Sequence, residues 1–434
     1  MTNTAHPIAG WVDPAWLFRD LEAQHPHIFW LDAGSNANLG WSFLGSGMPD
    51  STGPADTVID GSLSQQPTTD HPPFLGGWVG WLDYDNGAAA AGAPATITEA
   101  PAWLLVETLL AFDHANRRVW AIAPAASIDN WARYCQELIA SALAPTPRAQ
   151  KPTTAVARHE PDEYVARIEA CRDLIRRGEA YQLCLTTRFT VEQSVDAVAV
   201  YESLRAATPA HHGGFIRIGE RALLSASPEQ FLLASEGRIS TSPIKGTRPR
   251  GKDATSDDAL AAELLASGKE RAENVMIVDL MRNDLSRVCE AGSIRVDSLL
   301  AVESYPAVHQ LVSKVSGRSI PGLTAGKLWA ATFPAGSMTG APKLSAMTHL
   351  YELENGPRGI YSGCFGYVGF DGRMDAAMII RTIIVEPDRS YVGAGGGITW
   401  GSVAAEEVAE VATKASAPLA ALGAALPQGW ASIR

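Results

Sequence analysis

The sequence predicts an α+β protein, and three observations carry that prediction. Strand-like stretches come in runs, helices punctuate the runs without a regular βαβ alternation, and no internal repeat divides the chain into like units. With 434 residues and 46% apolar content, the chain can bury one very large core or two to three smaller ones.

The elements follow in order. Asp13 caps an opening helix, Pro14 takes its first turn, and Trp16, Leu17 and Leu21 form its apolar stripe. "HIFWLD", "GWSFLG" and "LGGWVGWL" carry the aromatic and β-branched bias of sheet. So do "AWLLVETLLAF" and "RRVWAIA", read as a strand pair joined by "DHAN". Ser127 caps a helix through Leu143. The aperiodic "APTPRAQKPTTAVARHEP" reads as a linker, which puts the main boundary between an amino-terminal region, 1–145, and a second region, 160–425. Pro161 then starts a helix with Val165, Ile168, Cys171, Leu174 and Ile175 at helical spacing, ended by Gly178. In "YQLCLTTRF", alternation places Leu183, Leu185 and Phe189 on one face and Gln182, Thr186 and Arg188 on the other. Hairpins are expected around "EGR" and "DGR", and helices near 269–282, 342–354 and 403–422.

Charge narrows the function. A formal net charge of -12 with no long Lys/Arg block disfavours nucleic acid as a partner. The opening "MTNTAHPIAGWVDP" lacks a basic region followed by an apolar core, and no apolar run approaches the ~20 residues that span a bilayer. Both point to the cytoplasm and away from membranes. The five cysteines are scattered and form no C-x-x-C pair, as expected of reduced, packed thiols.

Four constellations are candidates for chemistry. In "SPEQFLL" and "SPIKGTRPRG", a hairpin would bring Glu229 and Lys245 to one end of a sheet. Taken singly, each reads first as an exposed glutamate or lysine; but Gly246 lets the backbone approach a ligand closely, and if the Lys245 ammonium is crowded by Arg248 and Arg250 and partly desolvated, its amine becomes free and nucleophilic. In "GKERAENVMIVDLMRNDLSRV", Glu270 and Glu273 share a helix face; in "AEEVAEVATKA", so do Glu407 and Glu410, with Lys414 one turn on. Such pairs are either solvated faces or, where two converge, hard oxygen ligands for Mg²⁺. "ATFPAGSMTGAPKLSAM" sets a glycine-rich turn before a helix at Pro342, too unlike a phosphate loop to bind nucleotide but with free amides for an anion. Leu344, Met347, Leu350 and Leu353 would form that helix's buried stripe. In "AMIIRTIIV", Arg381 alternates with Ile379, Ile383 and Val385, so its guanidinium needs a carboxylate, either structural or from a substrate. Tyr361 and the run "GAGGGITW" add a phenol and bare amides. Together these suit a small substrate with two carboxylates.

Residues 160–418 resemble the chorismate-utilising enzymes, through "RRGEAYQLCLTTRF", "SPEQF", "PIKGTRPRG", "KERAENVMIVDLMRNDLSRV", "FPAGSMTGAPK", "RGIYSGCFGYVG", "IIRT", "AGGGI" and "EEVAEVATKA" in that order. "FLGGWVGWLDYD" resembles the family's amino-terminal region more loosely. The resemblance implies a large two-sheet β-sandwich core with helices packed outside, and two interwoven regions. Members that hydrate chorismate carry a lysine base where this chain has Gln182, and anthranilate-forming members have alanine where it has Lys245. The implied reaction is therefore amination at C4 to 4-amino-4-deoxychorismate, for 4-aminobenzoate and folate synthesis. Anthranilate formation and a non-catalytic metabolite-binding role are the alternatives. In this reading Lys245 attacks C2 and Glu229 is the general acid. Glu273 and Glu410 hold Mg²⁺, with Glu270 and Glu407 beside them or on its waters. Lys414 and the amides around Gly395 and Gly397 meet the ring carboxylate, Tyr361 and Arg381 the enolpyruvyl carboxylate, while Gly246, Thr247, Thr339 and Gln182 are further pocket contacts.

Two positions depart from the family. Gln310 stands before "LVS", where a histidine associated with pyruvate loss is common, and "ITWGSVAAEE" lacks the acidic residue usual after the glycine run. No cysteine sits in a glutaminase G-x-C-x-G elbow, so a separate glutamine amidotransferase subunit is the implied ammonia source, with free ammonia as a substitute.

Overall fold

Side-chain alternation decides the architecture. In the strand Ile28–Asp32, Ile28 and Trp30 enter one apolar core while Phe29 and Leu31 enter another. The same split separates Leu110 and Phe112 from Leu109 and Ala111, and Ile383 and Val385 from Ile384. Strands apolar on both faces have to be covered on both. The computed structural model describes residues 3–62, 71–97, 102–146, 148–305 and 308–432, and it shows both covers.

The doubly covered strands belong to a twelve-stranded antiparallel sheet. Its order is Asn3–Ile8, Arg118–Pro124, Leu109–Asp113, Trp41–Ser46, Ile28–Asp32, His212–Ile218, Arg221–Ser227, Thr382–Val385, Ser390–Ile398, Gln182–Val191 and Val156–Ala157, with Gly340–Ala341 paired to the start of Gln182–Val191. Against one face lies a ten-stranded sheet, and Phe29, Phe43, Trp81, Phe231 and Tyr367 fill the core between them. Against the other face lie helices Pro14–Glu22, Pro161–Arg176, Ala197–Ala207, Lys343–Glu354 and Ala404–Ala421, which contribute Phe18, Tyr164, Tyr201, Leu350 and Val411 to the outer core. Both sheets contain strands from either side of residues 146–160. This is the α+β, two-sheet sandwich expected.

Two apolar runs turn out to hold corners. "AWLLVETLLAF" is two strands, Ala102–Val106 in the smaller sheet and Leu109–Asp113 in the larger. "AMIIRTIIV" likewise divides into Met374–Met378 in the smaller sheet and Thr382–Val385 in the larger. Arg381 is therefore not an alternating strand residue; it sits at the crossover with a φ of 53°. A run of apolar residues marks burial but carries no sign of where the chain changes sheets. Two stripes also shift: Trp16 is 41% and Leu344 50% exposed, while Phe18 and Ala346 take the buried positions.

One buried ion pair ties the strand Gln182–Val191 to the turn and helix that follow residue 335. Arg358 and Glu354 are 3% and 2% exposed, and the Arg358 Nε and Nη2 donate to Glu354 at 2.8 and 2.7 Å. The same guanidinium donates to the carbonyls of Met338 (2.6 Å) and Cys184 (2.8 Å) and lies 4.1 Å from the Tyr84 ring centroid. Glu354 Oε1 also accepts from the Thr186 amide at 2.8 Å. With nearly every donor matched, the pair recovers much of its desolvation cost. Removing one member leaves the other charged and alone, so Arg358→Met is expected to destabilise the fold by about 3–5 kcal/mol in urea unfolding. A loss under about 1 kcal/mol would contradict this account of the pair.

Candidate active site

The strand Ile244–Pro249 begins with an irregularity. Ile244 pairs with Val312 and Thr247 with Gln310, so this strand carries one residue more than its partner between those pairs. A bulge of that kind re-aims a side chain, here Lys245. Gly246 supplies the positive φ of 83°, and a Cβ on it would come within 2.8 Å of Glu270 Cγ and Leu264 Cδ1. Glycine alone fits both demands.

Lys245 lines a cavity of about 530 Å³ bounded by this strand, helices Gly268–Ser286 and Ala404–Ala421, and the glycine-rich strand Ser390–Ile398. Gly246, Thr247, Glu229, Tyr361, Arg381, Gly395, Gly397 and Lys414 share its wall, as do Glu270, Glu273, Glu407 and Glu410. Two anticipated contacts do not. The Thr339 hydroxyl is spent on Ala335 O at 3.1 Å inside its own turn. Gln182 is fully buried with its amide packed over Gly397, and both ends of that amide lack a partner. The start of helix Lys343–Glu354 is also absent from the wall, and Lys343 is committed to Asp284 at 2.7 Å.

The cations anticipated around Lys245 are neutralised by acids, although Arg248 lines the same cavity. Arg248 bonds Glu263 and Glu270 at 2.9 and 2.8 Å, and Arg250 is held by Asp257 at 2.6 and 2.8 Å. The groups that feel Lys245 include the acids Glu229, Glu273 and Glu410 and the Cys184 thiol. Glu229 is 7% exposed, and burial pushes its carboxyl up, with Lys245, a hydrogen bond from Ser337 Oγ at 3.1 Å and Lys414 pulling back. A carboxyl so placed keeps its proton more readily than one in water, the property of a general acid. Burial also raises Glu273, against Lys245 and Lys269. At Glu410 burial is again the largest single influence, but Lys414, Lys269 and Lys245 together outweigh it and the carboxyl is held below its ordinary value.

The four glutamates converge from two helices, yet no three metal-ligating side chains among the described residues form a ready cluster. Lys269 holds Glu407 Oε1 at 3.0 Å and Lys414 holds Glu410 Oε1 at 2.6 Å. Glu270 Oε2, Glu273 Oε1 and Glu407 Oε2 are buried without a partner. Three orphaned carboxylate oxygens, brought to one cavity wall by two helices, are the donor type a hard divalent cation takes.

The glycine strand offers amides for a simple reason. Cys184 and Thr186 lie opposite Gly397 and Gly395, but the Thr186 N–H goes to Glu354 and the Cys184 carbonyl to Arg358. These are thus non-hydrogen-bonded pairs, and the N–H groups of Gly395 and Gly397 point to the other edge of their strand. Thr382–Val385 pairs that edge only as far as Val392. Lys414 Nζ donates to Gly395 O at 2.8 Å on this open edge. The Arg381 backbone carbonyl accepts from Ala226 N at 3.2 Å, but among the described residues its guanidinium has no hydrogen bond or ion pair, and burial lowers its affinity for its proton, against Tyr361 and Glu410. Ser337, Lys269, Cys184, Met338 and Gln310 also line the cavity and were not singled out as pocket contacts from sequence. Ser337 and Lys269 stood in quoted motifs, but spacing there drew attention to a helix start and to the acids.

A walled cavity joining a buried acid to cations without protein partners is built for a small polyanion. The chain belongs to the chorismate binding enzyme family, whose profile matches residues 49–420. It is 39% identical to an aminodeoxychorismate synthase of Streptomyces pristinaespiralis over 82% of this chain and 52% of that protein. It is 40% identical to aminodeoxychorismate synthase component 1 of Klebsiella aerogenes, over 81% of this chain and 78% of that one. Anthranilate synthase component 1 of Thermus thermophilus is 38% identical, over 81% and 79%. Anthranilate synthase component I of Streptococcus pneumoniae superposes with a TM-score of 0.71 at 32% identity, covering 82% of each chain. The menaquinone-specific isochorismate synthase of Escherichia coli shares the fold, with a TM-score of 0.71 at 18% identity over 97% of this chain and 94% of that one. The chain spans about half the length of the two Streptomyces relatives.

The packing of Tyr361 is testable. A Cβ on Gly393 would lie 2.1 Å from Tyr361 Cγ. Gly393→Ala is expected to force the ring aside and cost about 1–3 kcal/mol of stability, seen as a lower thermal midpoint. An unchanged midpoint would refute the contact.

Proposed function

We propose that this chain is component I of an aminodeoxychorismate synthase, converting chorismate and ammonia to 4-amino-4-deoxychorismate. The observation that carries the reading is Lys245, aimed by its bulge into the cavity that Glu229 lines. Lys245 Nζ adds to C2 of chorismate as both conjugated ring double bonds shift and the C4 hydroxyl leaves, taking the Glu229 proton to depart as water. Ammonia then adds at C4, both double bonds shift back, and Lys245 departs from C2. Glu229 regains a proton from the new ammonium. One hard displacement becomes two easier ones, and occupation of C2 directs ammonia to C4.

Around these groups, Lys414 and the amides of Gly395 and Gly397 would hold the ring carboxylate, and Arg381 with Tyr361 the enolpyruvyl carboxylate. Glu270, Glu273, Glu407 and Glu410 would hold Mg²⁺, whose charge offsets that of the ring carboxylate when bound. Gln182 stands where hydrating relatives have a base, and an amide cannot deprotonate water. A glutaminase partner fits the name "component 1" of the Klebsiella relative and the greater length of the Streptomyces proteins. Five free, buried cysteines suit the reducing cytoplasm, where the reading places the reaction. No helix among the described residues is long and apolar enough to cross a membrane.

The relatives named anthranilate synthase make the product the deciding measurement. Purified protein with chorismate, Mg²⁺ and an ammonium salt is expected to yield aminodeoxychorismate; anthranilate, or binding without turnover, would overturn the proposal. Lys245→Ala should reduce kcat by about a thousandfold or more, the scale on which loss of a nucleophile acts, with the fold intact. Glu273→Gln should weaken Mn²⁺ or Mg²⁺ binding in calorimetry by at least about tenfold, a loss already typical of outer-shell partners. An unchanged titration would remove Glu273 from the ligand set.

A further inference from the structure

Glu229 is anchored more completely than its role as a proton donor alone requires. Its backbone N–H donates to Ser227 Oγ at 3.3 Å and its carbonyl accepts from Met378 N at 3.0 Å. Among the described residues, its side chain has one hydrogen-bond partner, Ser337 Oγ, which reaches Oε1 at 3.1 Å. The other carboxyl oxygen has no protein partner and is not sealed from the cavity, whose wall Glu229 and Ser337 share.

Ser337 is itself held from three sides. It lies in the single turn Gly336–Thr339, closed by the Thr339 hydroxyl on Ala335 O. Arg358 grips the next carbonyl, Met338 O, at 2.6 Å. Gly336 lets the turn rest on helix Gly268–Ser286, because a Cβ there would fall 2.3 Å from Leu280 Cδ2. The serine hydroxyl thus stands on a platform with little freedom to follow the carboxyl.

We propose that Ser337 is a positioning residue for the proton transfer: its hydroxyl occupies one oxygen of Glu229, so that the proton resides on the other and points at the C4 hydroxyl of the substrate. This rests on Glu229 being the acid, and it adds the group that selects which oxygen acts. Occupying Oε1 also stabilises the carboxylate left after proton donation, since a hydroxyl donor favours the charged form. Without it, burial would go less opposed, and the acid would hold its proton too firmly to release it easily. The charged groups facing Glu229 are Lys245 from its bulged strand and Lys414 from helix Ala404–Ala421. Glu273, Arg381 and Tyr361 line the same cavity.

Three variants test the assignment. In Ser337→Ala, kcat should fall by about tenfold, part of the 10²–10⁴ that a positioned acid supplies, with KM for chorismate unchanged. The alkaline limb of the kcat profile should move to higher pH, and Ser337→Thr, which keeps the hydroxyl, should restore both. A second readout needs no turnover: the infrared carboxyl band that disappears in Glu229→Gln is titrated in wild type and in Ser337→Ala, and its midpoint should rise in the variant. A lower thermal midpoint with neither limb nor band displaced would make Ser337 structural and overturn the inference. Wild-type turnover in Glu229→Gln would instead remove Glu229 as the acid, while the infrared midpoints still decide whether Ser337 holds that carboxyl.

Discussion

The buried pair of Arg358 and Glu354 is the constraint on which the rest of the site depends. The strand Gln182–Val191 meets there the turn carrying Met338 and the helix Lys343–Glu354 that supplies the acid, both far along the chain from it. The strand gives its Thr186 N–H and Cys184 carbonyl to the pair, and the turn gives its Met338 carbonyl. The pair thus satisfies the strand on the edge away from Ser390–Ile398, in the register that leaves the Gly395 and Gly397 amides on the open edge, and it holds the turn that carries Ser337. Two charges placed outside solvent are costly, and the structure offsets the cost by matching nearly every donor and acceptor around them.

The cavity follows the same logic with the opposite outcome. Its acids and bases are deliberately under-matched. Among the described residues the Arg381 guanidinium lacks a hydrogen-bond or ion-pair partner, and three glutamate oxygens are buried unpaired. Unsatisfied polar atoms in an otherwise well-bonded protein mark places where a ligand completes the set. The arginines beside Lys245 in sequence are, by contrast, fully occupied by Glu263, Glu270 and Asp257. Neighbours along the chain therefore say little about the charge a side chain meets.

Much of the site was legible in the sequence because its chemistry is local. The carboxylate pairs sit at helical spacing, and the lysine lies beside a glycine that only an unusual backbone would need. The two-faced strands were visible as runs of apolar residues. The corners inside those runs were not, since burial looks alike on both sides of a turn; this hid the break after Val106 and the one at Arg381. Thr339 and Gln182 appeared to belong to the pocket by motif, but one spends its hydroxyl on its own turn and the other lies behind Gly397.

By itself the sequence determined which groups exist and which share a helix or strand face, because periodicity and backbone preference act over a few residues. It determined the α+β class and the candidate acids, amine and guanidinium. Only the tertiary structure decided which of them meet, which are neutralised by others and which keep a free valence. Those outcomes depend on contacts between segments more than a hundred residues apart, such as Ser337 on Glu229 and Lys269 on Glu407. Hydrogen bonding and charge act through space, and no local pattern records where that space closes.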